Sequence, residues 1–315
     1  LAESCDIVVE NFKTGDLDKK GLGYEALRAI NPGLIYCAIT GFGQTGPKAE
    51  HPGYDYLIQA QGGLMSLTGL PDGEPGAGPQ RVGVATADLT TGMNSAIAIL
   101  GALHHRNQTG EGQFIDMALL DVQVSWLANQ AQNYFCSGEA PGRTGEYHPN
   151  LVPYQPFKTK DGSLIIAVGN DGQYQRLCEV LDVPELSSDP RFTCNPDRVK
   201  HRVELVKALS IATIARTNRE LTDLLQSAKV PCGAIQSINE VFDDPQVLAR
   251  DMLVEVEHPQ WGPVATVANP IKYSSTTVEY SKAPPALGED TETVLRDILD
   301  LSTDQIKCLK NDGVV

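Results

Sequence analysis

The chain has 315 residues, about twice the ~150 that one domain commonly takes, so the length predicts two domains or one elaborated domain. Apolar residues make up 41% and charged residues 21%, which excludes extended disorder, and no apolar run approaches the ~18 residues of a membrane span. Lys and Arg total 25 against 40 Asp and Glu; the net charge of −15 repels phosphate backbones and disfavours nonspecific nucleic-acid binding, yet allows a small phosphorylated ligand held by local cations.

The first stretch reads strand, turn, helix, strand. Asp6–Glu10 is short and β-branched, and Gly21-Leu22-Gly23 leads into a helical pattern through Tyr24, Leu27 and Ile30 that Asn31-Pro32-Gly33 stops. Leu34–Thr40 is a second apolar strand, and the alternation predicts an α/β layer with a parallel sheet. Residues 57–70 are apolar and Gly-rich, and residues 71–83 carry the Gly and Pro of a flexible loop. The strongest helix follows, with Leu89, Met93, Ala96, Ile97, Leu100 and Leu103 at helical spacing and an end near Asn107-Gln108-Thr109-Gly110.

Gln113–Leu119 reads as a strand and Val122–Tyr134 as one more helix. Over residues 136–163 the texture turns to Gly, Pro, Lys and Asp, and a linker is expected there. A smaller α+β region follows: strand Leu164–Val168 and helices Tyr174–Leu181, Val203–Ala215 and Glu220–Ala228. Beyond Gly262 the chain is Pro-rich and extended, with a last helix from Glu292 to Leu299.

The seven cysteines are scattered, odd in number and without a C-x-x-C, which fits neither a zinc framework nor a disulfide scaffold. Most lie in apolar contexts and read as buried thiols in a reducing compartment. The six His residues form no H-x-x-x-H pair, and adjacent His104 and His105 point apart on a helix. No metal site is expected.

Gly41-Phe42-Gly43-Gln44-Thr45-Gly46 matches the dinucleotide-binding spacing and follows a strand. The next residues, Pro47-Lys48-Ala49-Glu50-His51-Pro52-Gly53, have no helical period, so the helix N-terminus that a pyrophosphate needs is missing. These glycines instead predict a loop where backbone passes close to a neighbour. Asp88, between the Gly-rich loop and the strongest helix, reads as an N-cap carboxylate held anionic by backbone N–H groups and the helix dipole. The same geometry suits a nucleophile that forms acyl intermediates, with Gly92 keeping that end uncrowded. Asp116 and Asp121, five residues apart, suit a carboxylate dyad or mere capping. Lys13, Lys19, Lys20 and Arg81 are candidate phosphate cations, though isolated surface lysines usually do nothing specific.

The ordered runs Asp6–Phe12, Gly21–Tyr24, Tyr36–Pro47, Pro52–Asp55, Val82–Gly92, Thr109–Gln113 and Val152–Phe157 together resemble the class III CoA-transferases, the CaiB/BaiF type. Val230–Gly233, Pro245–Val247 and Gly313–Val315 extend the resemblance over essentially the whole chain, nearest to the succinyl-CoA-dependent dicarboxylate branch. It implies a Rossmann-like α/β large domain with a parallel sheet, a smaller α+β domain and an interlocked homodimer. The expected division is residues 1–145 as the first part of the large domain, 146–260 as linker and small domain, and 261–315 returning to the large domain.

The resemblance implies that Asp88 is the nucleophile and that Tyr54 and Asp55 stand beside it. It implies CoA contacts at Asn11, Phe12, Lys19 and Leu119. The CoA thioester is then a substrate, with no tightly bound cofactor, no metal and no nucleic-acid or membrane partner, in the cytoplasm or in an organelle matrix of a eukaryote. Two departures stand out. Tyr147–Gly162 is short where formyl-CoA transferases carry a glycine-rich covering loop, which argues against formyl-CoA as donor. The chain also opens at Leu1-Ala2-Glu3-Ser4, after the strand and loop with which the family begins, so a truncated N-terminus and a partly missing CoA site are expected.

The α-methylacyl-CoA racemases share the fold but place a His where this chain has Tyr54, and a phenol is a poor neutral-pH base beside an imidazole. Transfer is therefore favoured over racemisation. A fragment that only binds or dimerises is the alternative of another class.

Overall fold

A computed structural model describes residues 1–315. Strand β1 (Ile7–Glu10), helix α1 (Tyr24–Ile30) and strand β2 (Ile35–Thr40) follow the expected order. Helices α2 (Asp55–Gln61) and α3 (Leu64–Leu67) occupy the apolar Gly-rich stretch, and α4 (Thr86–Thr109) is the long helix. It ends where Gly110 takes a left-handed φ of 79° and donates its N–H to Arg106 O, a closure that favours glycine. Strand β3 (Phe114–Ala118) then completes a parallel sheet of order β1-β2-β3, with Val8 opposite Tyr36 and Cys37 opposite Ile115. The central strand is buried from Ile35 through Ala38, the continuous apolar run of a parallel strand covered on both faces.

The predicted helix over 122–134 is two helices, α5 (Leu119–Ser125) and α6 (Ala128–Ser137), separated at Trp126-Leu127. The linker expected over 136–163 contains strand β4 (Tyr154–Lys158). It pairs antiparallel with β5 (Ser163–Ala167) as an edge strand, the position that tolerates Pro156. Around this sheet stand α7 (Asp171–Val180), the short α8 (Pro184–Ser188) and α9 (Asn195–Lys200), then α10 (Arg202–Thr213) and α11 (Asn218–Ser227). Helix α11 starts with a capping box between Thr217 and Glu220. Strand β6 (Cys232–Ala234) closes the order β4-β5-β6. The largest apolar core of the molecule lies here, where Leu164, Ile166, Leu177, Leu205, Leu221 and Leu225 are fully buried.

Arg198 is buried in that core. It donates to Val152 O at 2.8 Å, to Phe192 O at 3.0 Å and to the Asp171 carboxylate at 2.7 Å, and lies over the Tyr174 ring. The chain continues through α12 (Ile238–Asp243), α13 (Pro245–Ala249), the hairpin β7 (Leu253–His258) and β8 (Gly262–Val267), α14 (Thr291–Asp297) and α15 (Thr303–Asn311). No helix is long and apolar enough to cross a membrane.

One sequence expectation needs correction. Only Cys37 and Cys178 are buried; Cys5, Cys194 and Cys232 are half-buried, and Cys136 and Cys308 are exposed. The apolar stripe of α4 does not face the core: Leu89, Met93, Ile97 and Leu100 are 56–68% exposed, while Ala87, Thr90, Thr91, Ser95 and Ala102 are buried. The helix approaches the sheet through small side chains, which allow close backbone contact.

Candidate active site

The carboxyl ends of β1, β2 and β3 lead directly into the walls of one cavity of about 450 Å³. Asn11–Thr14 follow β1, Thr40 and Gly41 close β2, and Leu119 follows β3. Open parallel sheets bind ligands at this edge because every strand there hands its side chains to a loop. The turn 51–54 and the first turn of α4, with Asp88, Thr91 and Gly92, form the remaining walls.

The Gly-rich loop is shaped by close approach, as expected. A Cβ on Gly41 would lie 2.4 Å from Gly53 Cα, so only two glycines let the 51–54 turn rest on the end of β2. Gly43 has a φ of 85° and donates its N–H to Thr40 Oγ1 at 2.9 Å. Gln44 N–H donates to both Asp116 carboxylate oxygens at 3.2 and 3.0 Å. Asp116 therefore pins this loop, and Asp121 is exposed on α5. These two carboxylates form no dyad at the cavity.

Asp88 is not an N-cap. The cap residue of α4 is Ala85, without a side-chain cap bond, and Asp88 is the third helical residue. The capping carboxylate comes from Asp55, whose Oδ1 accepts the Ala87 N–H at 2.8 Å. Asp55 Oδ2 accepts from Gln59 Nε2 at 2.7 Å, and buried Gln59 accepts the Val82 N–H through Oε1 at 2.9 Å. One carboxylate thus ties α2, the loop at 82–84 and the start of α4 together.

This leaves Asp88 exposed toward the cavity, with no hydrogen-bond partner holding it anionic. Partial desolvation, followed by repulsion from Asp55, pushes its carboxyl upward from its ordinary value, and water screens part of the effect. The expected downward pull by backbone N–H groups is therefore reversed. Asp88 is nevertheless the one carboxylate among the residues lining the cavity.

Asn11, Phe12, Tyr54 and Leu119 also line the cavity with Asp88. Asp55 stands behind Asp88 as the helix cap and does not line it. Lys19 does not line it either: it is exposed and paired with Asp16 at 3.0 Å. Arg81 donates to Val82 O and Gly83 O of its own loop and stands over the Tyr56 ring. The sequence reading missed His51 and Thr91 as cavity residues. Thr91 sits three residues after Asp88 on the same helix, a spacing that puts both on one face. The signal for His51 was its place in the Gly/Pro turn just before Tyr54. No cluster of three His, Cys, Asp or Glu side chains is placed to hold a metal ion.

The profile of CoA-transferase family III matches residues 1–291. The chain is 48% identical over 298 residues to the succinate–glutarate CoA-transferase of Agrobacterium fabrum, covering 95% of this chain and 74% of that protein. It is 40% identical over 319 residues to the succinyl-CoA:glutarate CoA-transferase of Homo sapiens, covering 100% of this chain and 71% of that protein. Its fold matches the crystal structure of a CaiB/BaiF family protein from Brucella suis with a TM-score of 0.81 at 47% identity, over 94% of this chain and 76% of that one. A parallel α/β sheet with a carboxylate-bearing cavity at its carboxyl edge is thus accompanied by relatives of one kind, and the chain belongs to CoA-transferase family III.

Proposed function

We propose that this CoA-transferase moves CoA from a short acyl-CoA, succinyl-CoA first, to a small carboxylic acid, with glutarate the leading acceptor, and that Asp88 carries the acyl and thioester intermediates. The observation that supports this reading is that Asp88 is the one carboxylate on the cavity wall, unpaired and in the first turn of α4. The relatives' names support the choice of donor and acceptor.

The chemistry follows from what a thioester and a free acid need. A carboxylate oxygen is a poor leaving group, so CoA does not exchange directly between them. The Asp88 carboxylate attacks the thioester carbonyl and CoA thiolate leaves, giving a mixed anhydride. The thiolate attacks the aspartyl carbonyl of that anhydride, the donor acid departs, and an aspartyl-CoA thioester remains. The acceptor carboxylate attacks that thioester carbonyl and expels thiolate, forming a second anhydride. Thiolate attacks its acceptor carbonyl, which releases the new acyl-CoA and restores Asp88. No proton is gained or lost, and the CoA thioester is the substrate, so the steps call for no resident cofactor. An upward-shifted carboxyl makes the Asp88 carboxylate the stronger nucleophile once ionised. The dipole at the N-terminus of α4 favours the oxyanions of the tetrahedral steps.

In this reading Asn11, Phe12 and Leu119 contact CoA, and Tyr54 stands beside the reacting carbonyl. Lys19 would serve CoA only after leaving Asp16. The exposed Leu89, Met93, Ile97 and Leu100 stripe supports a homodimer in which a second copy covers this face. The test is exchange between succinyl-CoA and labelled glutarate by the parent and by Asp88→Ala. Exchange that survives Asp88→Ala refutes the nucleophile. Solvent deuterium at the substrate α-carbon without exchange moves the assignment to racemisation, and absence of both leaves a binding protein.

A further inference from the structure

We propose that His51 determines acceptor specificity by donating a hydrogen bond to the second carboxylate of the acid, so that the cavity prefers short dicarboxylates over monocarboxylates of the same chain length. The inference rests on the transferase reading for its chemistry and on the cavity wall for its geometry.

The molecule as a whole carries a charge of −15, so an anionic acid approaches against the overall field and needs a local donor. Among the residues lining the cavity, Lys13 and His51 are the two basic side chains. Lys13 projects from the turn after β1, beside Asn11 and Phe12. His51 comes from the other side, on the turn that also supplies Tyr54 and that Gly53 locks against Gly41 at the end of β2. Its position relative to the nucleophile is therefore set by backbone packing.

The His51 side chain is exposed and packs on one side only. His51 meets buried Phe42 edge-on, with centroids 6.2 Å apart and planes at 87°, and its backbone N–H donates to Lys48 O at 2.9 Å. Neither ring nitrogen of His51 has a hydrogen-bond or ion-pair partner within the chain. Two other basic groups are engaged: Lys19 with Asp16 and Lys48 with Gln61 Oε1. His51 is thus an exposed, unengaged donor on the cavity wall, open to an anionic substrate. An imidazole offers at least one N–H in either charge state, so it serves a carboxylate whether or not it is protonated. Lys13 is a flexible point charge on the CoA side of the cavity and suits CoA more than a small acid.

Binding of glutarate and of pentanoate is measured by titration calorimetry on the full chain with CoA present. The parent is expected to bind glutarate about tenfold more tightly, the worth of one hydrogen bond to a charged group. His51→Phe keeps the ring packing but removes the N–H, and is expected to abolish the preference while leaving pentanoate unchanged. His51→Arg is expected to retain it, and Lys13→Gln to leave it in place. In exchange assays His51→Phe is expected to raise KM for glutarate about tenfold with little change in kcat. A parent with no preference, a His51→Phe variant that keeps it, or a preference that disappears with Lys13→Gln overturns the inference. A His51-dependent preference in a protein that exchanges no CoA leaves this inference standing and removes the transferase reading instead.

Discussion

Replacing Asp55 by Asn separates two jobs that the structure gives to one carboxylate. In the parent, Asp55 Oδ1 accepts the Ala87 N–H and Oδ2 accepts Gln59 Nε2, at 2.8 and 2.7 Å. An Asn amide in either orientation turns a donor toward one of those donors. The loss of one charge-assisted bond and of the charge near the α4 N-terminus costs about 2–4 kcal/mol, and more where buried Gln59 is left unpaired. The midpoint of thermal unfolding is then expected to fall by about 5 °C or more. The same substitution removes the repulsion that, after burial, pushes the Asp88 carboxyl upward, so Asp88 titrates lower. The acid limb of the kcat/KM profile for CoA exchange is expected to move to lower pH in a less stable protein. Unchanged stability refutes the remote cap, and an acid limb that stays or moves upward refutes the Asp55–Asp88 coupling.

Asp88→Asn is expected to reduce exchange by about a thousandfold or more, since the nucleophile is removed. A carboxyl raised on folding stabilises most below its unfolded value and loses that contribution as pH rises through the raised value, so this variant is expected to match or exceed the parent in neutral-pH thermal melts. Gly41→Ala forces a Cβ against Gly53 Cα; a loss of about 1–3 kcal/mol in urea unfolding, with lowered kcat as the 51–54 turn shifts, is the expected result. Arg198→Ala leaves Val152 O and Phe192 O unpaired beside a cavity, while half-exposed Asp171 is rehydrated, and about 3–5 kcal/mol should be lost in denaturant titration. We also propose the division at about residues 145 and 260 as domain boundaries, for which limited proteolysis should cut near those positions before it cuts the β4-β5-β6 unit.

Local signals made much of the α/β unit legible. The β-branched run of β1, the stop at Asn31-Pro32 after α1, the apolar run of β2 and Gly110 after α4 all act within a few residues of where they are read. The misreadings involve partners distant in sequence. Asp88 looked like a cap because nothing near it shows that Asp55, on a separate helix, already holds the Ala87 N–H. The spacing of the α4 stripe gave the helix, but periodicity reveals an apolar face without revealing what covers it. Strand β4 was hidden by Pro156 and polar neighbours, which an edge position accepts. Asp88 was named from its place before the strongest helix and again by family resemblance, Asn11, Phe12, Tyr54 and Leu119 through the resemblance, and the carboxyl edge of the sheet brings them to one cavity. Lys19 shows the limit of that route, since a matched position says nothing about its pairing with Asp16.

The central claim is that acyl transfer passes through Asp88. The direct measurement is to incubate the full chain with succinyl-CoA, quench with hydroxylamine and map the modified residue by peptide mass spectrometry. The account predicts a hydroxamate on Asp88 that requires succinyl-CoA and that CoA-free controls lack. CoA exchange proceeding with Asp88 unmodified, or with the hydroxamate on another carboxylate, contradicts it.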